Sequence, residues 1–263
     1  MIIYSEDEIQ AIRKSNQIVA KVLSELKRMV KPGIQTKELD EYAQLRTKEM
    51  GAIPAFKGYR GFPASLCTSL NEEIVHGIPS TRRLREGDIL SLDFGVLCDG
   101  YYGDAAVTYP VGEITPTAKR LIKTAEEAFF RGIAQVKEKG RISDISFAIQ
   151  SYVESQGFSI IRSFVGHGIG LSLHEEPQIP NFGVPGRGPK IKAGMVLAIE
   201  PMIAVGDWNV EILEDQWTAV TRDRSLSAHY EHTVAVTRNG LEILSQLEEE
   251  KENLPHLKEN HYA

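Results

Sequence analysis

Cysteine, long apolar runs and an excess of basic charge are scarce or missing in this sequence of 263 residues. The two cysteines, Cys67 and Cys98, cannot form the disulfide framework of a secreted scaffold and favour a reducing compartment. No apolar run approaches the roughly 20 residues that span a bilayer. Acids occupy the start, "MIIYSEDEIQ", where a secretory signal would have a basic end. With a net charge of −6, the chain has no basic footprint for nucleic acid. These absences predict a cytoplasmic protein with no membrane association and no direct nucleic-acid binding.

The spacing of apolar residues predicts helices and strands in an order typical of an α/β protein. Hydrophobic residues make up 42% of the chain, which is enough for a full core. The predicted helices run from Ser5, in a capping box with Glu8, to before Pro32; from an N-cap at Thr36 to about Met50; from Thr115 to Gly140; and over about 144–156. The predicted strands lie near 65–70 and 74–78, in a hairpin over 89–107, and near 159–165, 195–201, 209–213, 217–221, 230–237 and 241–244.

Two parts of the sequence resemble each other. "REGDILSLD" is similar to "KAGMVLAIE", and the two end at Asp93 and Glu200. Upstream of each acid lies a second match, "VHGIP" with His76 and "VGHGIG" with His167. Two ordered matches favour a duplicated half-domain, so that packing the halves face to face would bring the acids together.

The repeat predicts one domain over 1–246, built from two pseudo-symmetric halves of about 1–112 and 113–246. The remaining stretch, 247–263, is charged and aperiodic and is predicted to be a flexible tail.

The hairpin in "ILSLDFGVLCDGYYGDAAV" places acids inside runs that are otherwise meant for burial. With Asp99-Gly100 as the turn, residue 95 pairs with residue 104. Asp93 then lies on the same face as Asp104 and diagonal to it. A lone ionised carboxylate in an apolar sheet is very costly, so the pair needs a compensating charge.

Three further residues lie in similarly apolar or Gly-rich surroundings: Glu200, Glu231 and His167. If they converge with the hairpin pair, the four carboxylates bring a charge of about −4. Two divalent metals bridged by hydroxide would leave such a cluster near neutral. Oxygen-rich ligation of this kind suits Mn, Fe or Co. The sequence therefore predicts a two-metal site, which can activate water and polarise a carbonyl.

Five segments together resemble a known family: "NEEIVHGIP", "LDFGVLCDGYYGD", "GHGIGLSLHEEP", "GMVLAIEP" and "RSLSAHYEHTVAV". Over about residues 5 to 245 the chain resembles the type I methionine aminopeptidases of the short bacterial form. The resemblance implies the pita-bread fold, an α/β (α+β) arrangement of two pseudo-symmetric halves with helices packed on a curved, mainly antiparallel sheet. It also implies metal-dependent removal of the initiator methionine from new polypeptides, by attack of metal-activated hydroxide on the first peptide bond.

The resemblance also implies a role for individual residues. The implied metal ligands are Asp93, Asp104, His167, Glu200 and Glu231, with Asp104 and Glu231 bridging. Glu200 would shuttle the proton of the attacking water, His76 would contact the scissile amide nitrogen, and His174 would steady the carbonyl oxygen. The implied pocket for the methionine side chain is formed by Tyr59, Phe62, Cys67, Leu173 and Trp217. Leu173 stands where many relatives carry an aromatic residue, and Arg60 stands at a rim position that is often histidine.

The resemblance implies cofactors and partners as well. The cofactors are two divalent ions, Co, Mn or Fe with Zn as a further option, and a monovalent cation near Asn71 and Ser227. The partner is the amino-terminal methionine of nascent peptides, near the ribosome, and the protein is expected to be a monomer. Two alternatives stay open. One is a proline-specific peptidase of the same fold, although such relatives generally carry an additional amino-terminal domain for which residues 1–50 leave no room. The other is a non-enzymatic binding module.

Overall fold

The computed structural model describes residues 1–137 and 140–247. Within these residues the chain forms four α-helices: α1 (Glu6–Met29), α2 (Thr36–Glu49), α3 (Pro116–Ile133) and α4 (Ile142–Ser155). Fifteen strands lie in the same part of the chain: β1 (Ile53–Pro54), β2 (Cys67–Leu70), β3 (Glu73–Val75), β4 (Ile89–Cys98), β5 (Tyr101–Pro110), β6 (Ser159–Ile160), β7 (Val165–Gly168), β8 (Glu175–Pro180), β9 (Val196–Ile199), β10 (Met202–Ala204), β11 (Val210–Ile212), β12 (Ala219–Thr221), β13 (Ser227–His229), β14 (Glu231–Thr237) and β15 (Gly240–Ile243). No helix among the described residues is both long and apolar enough to cross a bilayer.

Nine of the described strands form one antiparallel sheet. Seven of them follow the order β1-β4-β5-β14-β9-β7-β8, while β2 pairs with β4 and β15 pairs with β14. The strands β1 and β2 lie along successive parts of the same edge of β4. Two small sheets, β13-β10-β6 and β11-β12-β3, complete the described strands. The sheet therefore brings strands from both ends of the sequence side by side at its centre.

Each pair of helices covers its own apolar core. The helices α1 and α2 pack with β4 and β5 around Leu23, Leu39, Leu92 and Phe94. The helices α3 and α4 pack with β9 and β14 around a second cluster that includes Phe129. Helices laid over an antiparallel sheet confirm the predicted α/β (α+β) class. The division into pseudo-symmetric halves stays a prediction.

The signals at the first helix and at the hairpin are confirmed. Ser5 caps α1 by accepting from the Glu8 N–H, and Glu8 in turn accepts from the Ser5 N–H at 2.8 Å. In the hairpin, Gly95 pairs with Asp104 as expected. The turn residues Asp99 and Gly100 have φ values of 50° and 86°, which is the left-handed conformation that this two-residue turn requires.

Two helix boundaries differ from the prediction. Thr36 is the first residue of α2 rather than its cap, because its hydroxyl donates to the Ser80 carbonyl while Glu38 accepts from the Gln35 N–H. The helix α3 ends at Ile133 instead of Gly140, since the chain tightens there into turns closed by bonds from residue i+3 to residue i.

One strand prediction is also wrong, and four strands were not predicted, namely β1, β8, β10 and β13. The strand expected over 159–165 is divided between β6 and β7, which belong to different sheets. The strand β8 was not predicted, because Pro177 and Pro180 argue against a strand. Both prolines are tolerated because β8 lies at the edge of the sheet and pairs with β7 alone. The predicted flexible tail, 247–263, lies outside the described residues from position 248 onward.

Candidate metal centre and ligand pocket

The register of the central strands places the predicted ligands on one face of the sheet. Asp93 of β4 and Glu231 of β14 both lie opposite Ala106 of β5, one on each side. Residues opposite each other in a sheet point to the same side, and so do residues two apart on one strand. Asp104 therefore shares the face with Asp93 and Glu231.

The same argument extends to the next two strands. Thr233 of β14 lies opposite Ala198 of β9, and Ala198 lies opposite His167 of β7. Since Thr233 is two residues from Glu231, and Glu200 is two residues from Ala198, His167 and Glu200 join the acids on that face. Four neighbouring strands, and the residue that directly follows a fifth, thus place one acid or imidazole each on the same face.

The distances confirm that these side chains converge. One potential ligand atom from each of Asp104, His167 and Glu231 lies within 4.8 Å of the others. The Nε2 atom of His167 is 3.4 Å from Oε1 of Glu200. All five side chains are buried, with exposed fractions between 2% and 8%. The fold therefore buries four carboxylates and an imidazole close to one another.

Several oxygens of this cluster lack a hydrogen-bond partner. They are Oδ1 of Asp93, Oδ1 of Asp104 and Oε1 of Glu231, each buried and unpartnered among the described residues. In the same part of the chain, no Lys or Arg forms an ion pair with any of the four carboxylates. Uncompensated buried carboxylates are very costly. A hard, oxygen-preferring divalent cation fits this donor set.

The titration of the acids reflects the same lack of compensation. Burial raises the pKa of Asp93 to about 7. Burial and the neighbouring acids raise the pKa of Asp104, Glu200 and Glu231 well above their ordinary values. Without a cation the cluster would hold protons at neutral pH, and a bound cation would displace them.

His167 presents a defined nitrogen to the centre. Its Nδ1 lies 2.9 Å from the Gly168 carbonyl, which can only accept, so the proton is on Nδ1 and Nε2 carries the lone pair. Burial lowers the pKa of His167 to about 4, which keeps the imidazole neutral. A side chain at Gly166 would place its Cβ 2.4 Å from the Ala198 carbonyl oxygen, and only glycine allows β7 to approach β9 this closely.

A cavity of about 840 Å³, open to solvent, lies above the acids. It is lined by all five predicted ligands, by His76, His174 and Arg60, and by the predicted pocket residues Tyr59, Phe62, Cys67, Leu173 and Trp217. Sequence reasoning missed five further lining residues: Phe56, Val75, Phe164, Val165 and Met202. These residues follow ordinary apolar patterns, and nothing in the sequence separates them from core residues.

His76 and His174 approach the cavity from different walls. The His174 Nδ1 lies 2.8 Å from the Tyr59 hydroxyl, and its ring centroid is 4.3 Å from that of His167. The His76 ring packs edge-to-face against Phe164 and Trp217, at centroid distances of 5.6 and 6.2 Å. His76 has a φ of 61°, an uncommon conformation for a residue other than glycine and one that often marks a functional position.

The structure brings Asn71 and Ser227 together outside this cavity. The Ser227 N–H donates to the Asn71 carbonyl at 2.8 Å. The Asn71 side chain donates to Asp88 and accepts from the Ile89 N–H, both at 3.0 Å. Their role toward a monovalent cation stays a prediction.

Known proteins are similar to this chain over most of its length. The model of metallopeptidase family M24 matches residues 10–238. The methionine aminopeptidase of Clostridium acetobutylicum is 52% identical over 249 residues, which cover 94% of this chain and 100% of that protein. The crystal structure of the methionine aminopeptidase from Thermotoga maritima has a TM-score of 0.92 at 45% identity, and the match covers 94% of this chain and 100% of that one.

A more distant likeness concerns the fold alone. The prolidase from Pyrococcus furiosus has a TM-score of 0.77 at 24% identity, over 94% of this chain and 66% of that one. Together with the closer matches, it confirms the predicted pita-bread fold.

Proposed function

The chain belongs to metallopeptidase family M24, and from that premise we propose that it removes the initiator methionine from the amino terminus of new polypeptides. The predicted resemblance to the methionine aminopeptidases is confirmed by about 50% identity over nearly the whole chain, so the chain is a hydrolase of the aminopeptidase type. The observation that carries the proposal is the cavity in which an apolar wall adjoins five buried ligand side chains.

The residues that would hold two divalent ions are Asp93, Asp104, His167, Glu200 and Glu231. Their buried, unpartnered oxygens support this assignment. When bound, the ions would polarise the scissile carbonyl and supply a nucleophile at neutral pH. Mn, Fe and Co suit these ligands, and Zn is a further option. We also assign the monovalent cation to Asn71 and Ser227, whose backbones meet.

The apolar wall would bind the methionine side chain. Phe62 and Trp217 meet edge-to-face at 5.2 Å beside the buried Cys67, and Leu173 is only 2% exposed. An unbranched thioether fits an irregular cavity of this kind. Seating it there would place the first peptide bond next to the acids.

Three side chains would handle the proton and the developing charge. Glu200, beside His167, would take the proton of the attacking water and pass it to the leaving nitrogen. His174, oriented by Tyr59, would donate to the carbonyl oxygen as its charge grows. Such a donor is typically worth ~2.7–4 kcal/mol of transition-state stabilisation. His76 would contact the amide nitrogen as it becomes a leaving group.

The substrate, the cellular location and the oligomeric state are proposed from the same family membership. The substrate is the amino-terminal methionine of nascent chains, so the enzyme would act near the ribosome in the cytoplasm. We expect it to act as a monomer.

The test compares peptides and metals in one assay. Protein stripped of metal by chelation should not hydrolyse a peptide that begins with Met-Ala, and Mn, Fe or Co should restore hydrolysis. A peptide with proline in second place and no amino-terminal methionine tests the proline-specific alternative, and it should stay intact. Metal content is measured on the same samples. Full activity in protein that contains no metal would refute the two-metal site, whereas metal binding without hydrolysis of either peptide would favour a binding module.

A further inference from the structure

One buried histidine near the centre has no partner for its ring. His229, in β13, is 1% exposed, and among the described residues neither Nδ1 nor Nε2 has a hydrogen-bond partner. Leaving a buried polar group unsatisfied typically costs ~1–3 kcal/mol, and such groups in folded proteins call for an explanation.

His232, three residues further along, provides a contrast. Its Nδ1 lies 2.9 Å from the Ser245 hydroxyl, and its Nε2 lies 3.1 Å from the Tyr230 hydroxyl. Both histidines are buried and belong to neighbouring strands. Burial alone therefore does not leave an imidazole without partners in this part of the protein.

The backbone fixes the position of His229. The His229 N–H donates to the Thr108 hydroxyl at 2.9 Å, and the same hydroxyl donates to the His229 carbonyl at 2.8 Å. Thr108 is held in turn by Ser91 at 2.8 Å. The position of the ring is thus fixed by hydrogen bonds of the His229 backbone instead of hydrogen bonds of the imidazole.

The His229 ring faces two of the proposed metal ligands. Its Nε2 is 4.0 Å from Oε2 of Glu200 and 3.9 Å from Oε2 of Glu231. The opposite oxygen of Glu200, Oε1, faces His167. An approach of about 1 Å would give a hydrogen bond of normal length. His229 therefore approaches Oε2 of both carboxylates, and on Glu200 this is the oxygen opposite to the one that faces His167.

We propose that His229 is a positioning residue for the metal centre: its Nε2–H donates to Oε2 of Glu200 and Oε2 of Glu231 and thereby holds both carboxylates in the orientation in which they would bind the ions. This inference rests on the proposed function, because it takes both glutamates as metal ligands. Groups that orient ligands in this way typically change metal affinity by ~10–100-fold.

The experiment measures metal binding instead of turnover. Mn²⁺ is titrated calorimetrically into metal-free wild type, His229→Leu and His229→Gln. The leucine removes the donor, whereas the glutamine restores an N–H of similar reach. We expect the dissociation constant of the leucine variant to rise ~10–100-fold and that of the glutamine variant to stay within a few-fold of wild type. His232→Gln is the matched control and should bind Mn²⁺ like wild type.

The absorption spectrum of bound Co²⁺ separates positioning from direct ligation. If His229 positions the carboxylates, the leucine variant keeps the wild-type number of bound ions and the wild-type band pattern. A loss of one ion, or a spectrum that reports a lost nitrogen ligand, would overturn the proposal in favour of direct ligation. Unchanged Mn²⁺ affinity in a folded leucine variant would also overturn it, as would equal weakening in His232→Gln.

Two further outcomes concern the folding of the leucine variant and the binding of metal by the wild type. If His229→Leu does not fold, as judged by thermal unfolding, His229→Asn replaces it, because the shorter amide cannot reach the carboxylates. The asparagine variant should then bind Mn²⁺ more weakly than the glutamine variant, and equal binding would refute the inference. If wild type itself binds no divalent metal, the proposed function fails, whatever the variants do.

Discussion

The histidines around the cavity differ in what their ring nitrogens contact. His167 uses Nδ1 for a backbone carbonyl and leaves Nε2 free for the centre. His174 is hydrogen-bonded to the Tyr59 hydroxyl, while the His76 ring is nearly perpendicular to the rings of Phe164 and Trp217. The sequence repeat equates His76 with His167, but their surroundings differ, and we therefore expect the two residues to have different roles.

The first prediction separates these two histidines. His76→Ala should retain metal and fold but lose ~10²–10⁴-fold in kcat and kcat/KM together, with little change in KM, because it acts mainly in the transition state. His167→Ala should lose metal affinity first, and added metal should partly restore its rate. Metal titration of both variants checks this assignment. Rescue of the His76 variant by metal would reverse the two roles.

The second prediction concerns Leu173, which is buried against Ile169 and Ala198 and also lines the cavity. The wild-type pocket should accept norleucine-like side chains, with discrimination over one methylene of only ~10–200-fold. Leu173→Phe should narrow this acceptance, because a ring fills part of the space, at a stability cost of ~1–3 kcal/mol. The kcat/KM values for methionyl and norleucyl peptides measure the change. Metal content should not change, and a variant that loses metal would show that Leu173 supports the centre instead of the pocket.

At the level of elements, local signals in the sequence were sufficient to predict the structure where a single turn or helix cap sets the geometry. Asp99-Gly100 fixes the register of β4 and β5, so the facing of Asp93 and Asp104 followed from the sequence alone. The capping box at Ser5 and Glu8 likewise defined the start of α1.

The sequence alone did not predict features that depend on how the elements pack against each other in three dimensions. β8 is a strand in spite of its prolines because it lies at an edge, which the sequence does not reveal. Phe164 and Met202 line the cavity because of how β7 and β10 are placed, although their own patterns are those of core residues. His229 gave no signal either, since its lack of partners depends on contacts distant in sequence.

The third prediction tests the cap of α1. Ser5→Ala should lower the free energy of unfolding by ~0.5–2 kcal/mol, because the N–H of Glu8 loses its acceptor and α1 packs on both hairpin strands. Ser5→Gly is the matched variant and should lose only a few tenths of a kcal/mol. Urea unfolding of the metal-free proteins gives both values. A Ser5→Ala variant as stable as the wild type would show that the Ser5 hydroxyl does not stabilise the start of α1.

At the scale of the whole molecule, the buried carboxyls and histidines make the stability of the fold depend on pH. The folded carboxyls have pKa values above those of the unfolded chain, with Asp93 at about 7. Such groups add stability below the unfolded pKa, and that stability is lost as the pH rises through the folded pKa. The buried histidines have the opposite dependence, since burial lowers the pKa of His167 and His229 to about 4 and about 3. Their contribution levels off above about pH 6.5, where histidines of the unfolded chain are neutral.

The fourth prediction follows from these signs. Between about pH 7 and about pH 8.5 the metal-free protein should become less stable as the pH rises, because the folded acids must give up protons. The metal-loaded protein should become more stable over the same range, because metal competes better as protons are removed. Thermal unfolding at a series of pH values measures both slopes. In metal-free Asp93→Asn the slope should be shallower. A metal-free protein whose stability does not fall with pH would contradict the raised pKa values.

Four of the five proposed ligands lie in the strands β4, β5, β14 and β7, and Glu200 directly follows β9, yet in the sequence the five extend from position 93 to position 231. During translation the hairpin that carries Asp93 and Asp104 is complete long before β14 exists. At roughly 5–20 residues per second, the delay is on the order of ten seconds. Until Glu231 has been synthesised and β14 lies between β5 and β9, the cluster of five side chains is incomplete. In that interval Asp93 and Asp104 would hold protons or hydration water. Metal binding by all five proposed ligands therefore requires that β14 has first completed the sheet, which would place it late in the synthesis of the chain.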